Sequence, residues 1–349
     1  MSFGVRGLIE GFYNRLWAMD ERRRVAEFIA AHAFDTYVYA PKEDRLQNAG
    51  WRTPYPAPQR AALAEFGEHC RELGLHFWVG LRPVGMSYAD EADATLVFDK
   101  LRDYLDLGAD RLVLLVDDIP AELDARSGGR LTTLVDAHLW LVEHVLGALD
   151  LAPERLVFVP TDYAGSGSPY LEAIGSRLPA GVEVCWTGPD VCSPAITSSD
   201  AAAIAEVVQR PPLIWDNYPV NDAGMTAELH IGPIRDRDSD LNSYVSGILV
   251  NPALQPEATL VPLATWGEYL RDPASYDPDS AWRRALLEVT RNPRDAGAVA
   301  IVAAAFDRSV IRQPWETPSL ERRDAAVNVV RGMSNRQLVD DLLGLIPGG

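Results

Sequence analysis

Eight short apolar runs recur along the first 250 or so residues of this 349-residue chain, and helical patterns separate most of them. They are GVRGLIEGF (4–12), DTYVYAP (35–41), HFWVGLRP (76–83), RLVLLVDDI (111–119), RLVFVPTDY (155–163), VEVCWTG (182–188), PLIWDNYP (212–219) and VSGILVNP (245–252). Each is nearly continuous in β-branched, aliphatic and aromatic residues, without polar alternation. Strands of that composition are buried on both faces, as in a parallel sheet covered by helices. The helices come from the segments between: one from Asp20, others over about 57–74 and 90–107, one from about 132, then SPYLEAIGSRL and SSDAAAIAEVVQ, the last with Ser and Asp at its capping positions. Eight such units in roughly 250 residues predict a TIM (β/α)8 barrel; a doubly wound open sheet is the competing arrangement.

The link after the seventh run, NDAGMTAELHIGPIRDRDSDLNSY, is long, polar and Gly-bearing, as expected of a loop over an active site. Strand patterns stop after about residue 275. AWRRALLEVT, GAVAIVAAAFDRSV, ERRDAAVNVV and RQLVDDLLGLI then read as four helices punctuated by Asp, Pro and Asn. The expected division is a barrel over 1–275 and a helical segment over 276–349 packed against it.

Composition narrows the function classes. At 47% apolar and 23% charged residues the chain is globular, and 50 acidic against 32 basic side chains leave a formal charge of −18. Such a surface repels phosphate backbones and anionic lipid, so neither nucleic acid nor a membrane is an expected partner. No apolar stretch reaches the roughly 20 residues of a membrane span, and the N-terminus lacks a signal core, so a cytosolic (cytoplasmic) location is expected. Cys70, Cys185 and Cys192 form no CxxC pair and read as reduced, buried thiols.

A barrel of this kind places its chemistry at the C-terminal ends of the strands. Those ends read Glu10-Gly11-Phe12-Tyr13, Tyr39-Ala40-Pro41-Lys42 with Asp44 beyond, Asp117-Asp118, Thr161-Asp162-Tyr163, Trp186-Thr187, Trp215-Asp216-Asn217 with Asn221-Asp222 following, and Asn251-Pro252. Carboxylates, amides and aromatic rings with one lysine suit a sugar, whose hydroxyls need donors and acceptors and whose apolar face stacks on rings. The Asp117-Asp118 pair stands out. Neighbouring side chains on a strand point to opposite faces, so both reach one substrate only where the strand gives way to its loop. Two carboxylates held close do not ionise independently, and such a pair can supply an acid and an anionic stabiliser. The competing readings of the pair are a helix N-cap and a metal-binding couple. His32, His69, His76, His138, His144 and His230 lack zinc-ligand spacing, no GxSxG elbow or dinucleotide loop follows a strand, and GSGS at 165–168 reads as a turn. Lys42, beside Asp44, reads as a charged donor and not a Schiff-base lysine.

In order along the chain, RGLIEGFYNRLW, DTYVYAPKED, LLVDDI, VPTDY, CWTGPDVCS, WDNYPVND and GILVNP resemble the motifs of family 84 glycoside hydrolases, the O-GlcNAcases and related β-N-acetylglucosaminidases. The resemblance spans the predicted barrel but not the C-terminal helices. It implies exo-cleavage of terminal β-linked GlcNAc from a glycoside or glycoprotein, retention of configuration, and neither metal nor cofactor. By position, Asp117 would accept the acetamido N–H and aim its carbonyl oxygen at the anomeric carbon, and Asp118 would be the general acid and then the base. That is substrate-assisted catalysis through an oxazoline. Tyr163 would bond the acetamido oxygen, and Trp215 would wall the acetamido methyl. Gly11, Lys42, Asn217, Asp222 and Asn251 would hold the sugar hydroxyls. Asn14 and Leu16 depart from the family's Gly and Pro in GFYGxPW, which motivates an alternative, a non-catalytic GlcNAc-binding protein on the same fold. A metal-dependent Asp-rich enzyme is a third reading. The aglycone and the oligomeric state are left open.

Overall fold

The computed structural model describes residues 2–120, 123, 131–311 and 319–346. Its strands are β1 (Val5–Glu10), β2 (Thr36–Tyr39), β3 (His76–Leu81), β4 (Arg111–Leu115), β5 (Leu156–Val159), β6 (Glu183–Trp186), β7 (Leu213–Asp216) and β8 (Gly247–Val250). All pair in parallel in chain order, and the ring closes where Val5 lies opposite Gly247 and Leu8 opposite Val250. Closure rules out the open sheet. The hydrogen-bonded strands are shorter than the apolar runs because most runs extend past the ladder into the loops at the strand C-termini.

The pleat sorts side chains by a period of two. Ile9, Val38, Val113, Val157, Leu213 and Leu249 belong to a small cluster inside the barrel. Their neighbours Leu8, Tyr37, Leu112, Phe158 and Ile248 face outward into the larger layer under the helices. There Phe66 meets Tyr37 and Phe77 edge-on at 5.0 and 5.8 Å, each large buried ring contributing about 1.5–3 kcal/mol.

Helices α1 (Met19–Ala30), α2 (Ala57–Glu72), α3 (Glu91–Asp106), α4 (Leu134–Leu149), α5 (Pro169–Arg177) and α6 (Ser198–Val208) follow β1 to β6. The cap of α6 is Thr197, one residue before the expected Ser, with Asp200 completing a capping box. No α-helix follows β7. A helix that the periodicity does not predict, α7 (Leu260–Arg271), follows β8; nearly every residue in it is buried, so it lacks a polar face to mark its period.

The long link after β7 divides in two. Only Asp222, Ala223 and Met225 from it reach the strand-end cavity. Leu229, Ile231 and Ile234 are buried, and Trp282 Nε1 donates to the Ile231 carbonyl at 2.8 Å. The expectation of a loop over the site thus holds for its first residues alone; the rest is a packed strap, because its apolar residues find a core of their own. Beyond residue 275 come α8 (Pro278–Thr290), α9 (Pro293–Phe306), α10 (Leu320–Arg331) and α11 (Arg336–Leu345). The Asp, Asn and Ser punctuation supplies their caps, Asp277, Asn292, Ser319 and Asn335. Asp341 of α11 accepts from the Glu257 and Ala258 amides beside α7, at 2.8 and 3.0 Å. No helix among the described residues is long and apolar enough to cross a membrane.

Candidate active site

The alternation that fills the barrel also selects what faces its mouth. Val113 and Leu115 point inward, and Asp117 continues that register beyond the strand. Gly11 follows Ile9, Lys42 follows Ala40 and Val38, Asn217 follows Trp215, and Asn251 follows Leu249 in the same way. All nine residues singled out from the sequence, Gly11, Lys42, Asp117, Asp118, Tyr163, Trp215, Asn217, Asp222 and Asn251, line one cavity of about 390 Å³.

Asp118 should point away by that alternation, yet it borders the same cavity. Its φ is 49°, in the left-handed region, and this turn brings its carboxylate round to the side of Asp117. Tyr13 and Tyr163 then reach it from opposite sides. The Tyr13 hydroxyl donates to Oδ2 at 2.8 Å and that of Tyr163 to Oδ1 at 2.9 Å. Burial, reinforced by the neighbouring Asp118, holds both phenols above their ordinary pKa, so both remain donors.

Asp117 is buried and its Oδ2 accepts from Lys42 Nζ, itself buried. The Lys42 ammonium lies 5.7 Å from the Tyr13 ring centroid and 5.6 Å from that of Trp215. Its partner is therefore Asp117, which fits the reading of Lys42 as a donor. Asp117 Oδ1 is buried and has no hydrogen-bond partner among the described residues. A buried acceptor left unmatched costs about 1–3 kcal/mol, so this oxygen is suited to accept an N–H or O–H from a ligand.

One side of the cavity is a hydrogen-bonded wall. Trp215 Nε1 and Asn251 Nδ2 both donate to Asn217 Oδ1 at 2.9 Å, and Asn217 Nδ2 donates to the Val191 carbonyl at 2.7 Å. Gly11 N donates to Asn251 Oδ1 at 3.3 Å. A Cβ on Gly11 would stand 2.2 Å from Cζ2 of Trp215, so only glycine lets the indole close this wall. Asp222 Oδ2 accepts from the Tyr13 amide at 2.8 Å, and burial pushes its carboxyl above the usual range. At the rim, Asn14 takes the left-handed conformation with φ 70°, which Asn tolerates nearly as glycine does. It ties three loops together: its amide donates to Glu43 and its side-chain oxygen accepts from Ala223 N, at 2.8 and 2.7 Å.

Three other strand-end acids, Glu10, Asp216 and Asp44, serve the fold. Glu10 and Asp216 lie on outward positions and are held by two-pronged buried arginines, Arg22 at 2.7 and 2.8 Å and Arg237 at 2.8 and 2.9 Å. Asp44 is buried and accepts from the Tyr39 and Tyr55 hydroxyls. Sequence reasoning missed Tyr13 as a partner of Asp118, and Arg82, which directly follows β3 and donates to the Tyr13 oxygen at 2.8 Å. It also missed Cys185 and Cys192 in the lining. Burial pushes the Cys192 thiol up to about 11. Among the described residues no group of three or more His, Cys, Asp or Glu is placed to hold a metal ion.

A family profile described as β-N-acetylglucosaminidase matches residues 6–303, the whole barrel and the helices as far as most of α9. The chain belongs to the β-N-acetylglucosaminidase family. This agrees with the resemblance read from the strand-end motifs. The β-N-acetylglucosaminidase sequence here is 31% identical over 271 residues to the protein O-GlcNAcases of Rattus norvegicus and Mus musculus. The match takes in 74% of this chain but 29% of the length of those relatives. Among solved structures, a mutant of the Thermobaculum terrenum O-GlcNAc hydrolase aligns with a TM-score of 0.86 and 31% identity, over 94% of this chain and 75% of that one.

Proposed function

We propose that this β-N-acetylglucosaminidase family member is a retaining exo-hydrolase that removes terminal β-linked GlcNAc from a glycoside or glycoprotein, with the substrate's own acetamido group as nucleophile. The single observation that carries the reading is the buried Asp117 Oδ1, unmatched by any described residue, beside an Asp118 that faces the same cavity. A cavity of about 390 Å³ is at the small end of ligand pockets, roughly 300–1,000 Å³, and suits one sugar ring with its substituent.

In this reading Asp117 accepts a hydrogen bond from the acetamido N–H, and Lys42 holds that carboxylate in place. The acetamido carbonyl oxygen forms a bond to C1 as the bond from C1 to the leaving oxygen breaks. Asp118 gives its proton to that leaving oxygen. Asp117 takes the N–H proton as the oxazoline closes and returns it when water attacks C1 and the bond from C1 to the acetamido oxygen breaks; Asp118 takes the proton from the water, and the β-configuration is restored. No third carboxylate is needed as nucleophile, which fits the engagement of Glu10 and Asp216 with arginines. Tyr163 and Trp215 border the space for the acetamido group, and Asp222, Asn217 and Asn251 supply acceptors and donors for hydroxyls. Asn14 takes a left-handed turn that a glycine would also accept, and the first loop keeps Tyr13 in reach of Asp118.

The test compares aryl β-GlcNAc with aryl β-glucoside for the wild type, Asp117→Asn and Asp118→Asn. Turnover should require the acetamido group, and each substitution should lower kcat by about 10²–10⁴-fold. Equal turnover of the glucoside, or undiminished turnover by both variants, would defeat the proposal; tight binding of GlcNAc without any turnover would favour the binding-protein alternative.

A further inference from the structure

The two oxygens of Asp118 are held by phenols that are not equivalent. The hydroxyl of Tyr163 has no second protein partner among the described residues, and its hydrogen is free to turn away from Asp118 Oδ1. The hydroxyl of Tyr13 is bracketed: Arg82 Nη1 donates to its oxygen at 2.8 Å, and the same oxygen lies 2.8 Å from Asp118 Oδ2. A guanidinium can only donate, and a phenol has a single hydrogen. The Tyr13 hydrogen is therefore directed at Oδ2. Arg82 is itself anchored, its Nε donating to Asn48 Oδ1 and its amide to the Gln47 carbonyl, each at 2.9 Å.

We propose that Arg82 is a positioning residue: by fixing Tyr13 as a permanent donor to Asp118 Oδ2, it leaves Oδ1, on the Tyr163 side, as the oxygen that carries the catalytic proton. The inference rests on Asp118 being the acid of the reaction proposed above. No atom is transferred to or from Arg82. Its effect is on which oxygen is protonated and on how strongly the anion left after proton donation is held. The ionisable groups around Asp118 come from every neighbouring strand end: Tyr13 after β1, Lys42 after β2, Arg82 after β3, Asp117 beside it, Tyr163 after β5 and Asp222 after β7. Of these, Lys42 is engaged with Asp117 and the Asp222 Oδ2 with the Tyr13 amide, so the chain from Arg82 through Tyr13 is the cationic support that reaches Asp118 through a hydrogen bond.

The experiment measures kcat/KM against pH for wild type, Arg82→Met, Arg82→Lys, Tyr13→Phe and the Arg82→Met/Tyr13→Phe double variant. Two β-GlcNAc substrates are used, one with a nitrophenol and one with an alkyl leaving group. Loss of the fixed donor should weaken acid catalysis, so Arg82→Met loses about tenfold or more on the alkyl glycoside and little on the nitrophenyl one. The alkaline limb of its profile should move to higher pH, because the donor to the anion is no longer fixed and the cation behind it is gone. Arg82→Lys should fall between wild type and Arg82→Met. Adding Arg82→Met to Tyr13→Phe should change neither quantity by more than about twofold, since the arginine acts through the phenol. Equal losses on both substrates with an unmoved limb would overturn the proposal, as would a full Arg82→Met effect in the Tyr13→Phe background. If Arg82→Met does not fold, Arg82→Lys and Tyr13→Phe alone decide it, by the same two readouts. A wild type that turns over neither substrate overturns the parent reading, and this inference with it.

Discussion

Gly11→Ala is a one-methyl perturbation of the cavity whose consequence can be worked from the coordinates. The added Cβ would stand 2.2 Å from Cζ2 and 2.7 Å from Cη2 of Trp215. Moving out from 2.2 Å to the 3.4 Å of ordinary contact asks the indole to shift by 1.2 Å. It has little room to do so, being buried inside the barrel and tied through Nε1 to Asn217 at 2.9 Å. Overpacking of this kind costs about 1–3 kcal/mol, and a displacement near 1 Å at a positioned site costs about 10²-fold in rate. The expected outcome is a Tm lower by several degrees and a kcat/KM on aryl β-GlcNAc lower by about 10²-fold. The clashing atoms belong to the six-membered ring of the indole, so Trp215→Phe in the Gly11→Ala background should recover part of the lost Tm. A Gly11→Ala enzyme within threefold of wild type at unchanged Tm would refute the claim that this close approach shapes the cavity.

Lys42→Met removes the cation from a buried pair and strands Asp117, whose other oxygen is already unmatched; unfolding in urea should show a loss of about 3–5 kcal/mol, with kcat/KM falling at least as far as in Asp117→Asn. Asp341 tests the docking of α11. Burial raises its carboxyl from 3.8 to about 6, so the folded state holds the proton more tightly than the unfolded one, and stability falls as pH rises through that window. The cost of the ionised form is about 3 kcal/mol. Urea unfolding of Asp341→Asn against wild type should show the variant's relative stability rising by about that amount between pH 4 and pH 7, whereas a pH-independent difference would contradict the assignment.

Much of this architecture is legible in the chain because burial on both faces writes the strands as unbroken apolar runs. Their C-terminal limits were overrun for a physical reason. Residues such as Ala40, Pro41 and Tyr163 are apolar or aromatic without belonging to the ladder, and these overruns carry the site. The positions of Lys42, Asp117, Asn217 and Asn251 follow from an inward register that period two fixes. What the sequence could not reveal is which acids are already engaged. Glu10 and Asp216 look as available as Asp117 until Arg22 and Arg237, on a helix and a loop, are folded against them. Arg82 carried a signal, a cation at the end of an apolar strand, but its partner Tyr13 lies 69 residues away. Helix α7 escaped detection because a helix buried all round shows no amphipathic period.

Intramolecular attack by the acetamido oxygen is most directly tested with aryl β-GlcNAc substrates whose N-acetyl group carries none, one, two or three fluorines. Each fluorine withdraws electrons from the carbonyl oxygen and weakens it as a nucleophile, so kcat/KM should fall steeply and steadily along the series. A flat series, with the trifluoroacetyl substrate turned over as fast as the parent, would contradict the mechanism and point to a nucleophile supplied by the protein.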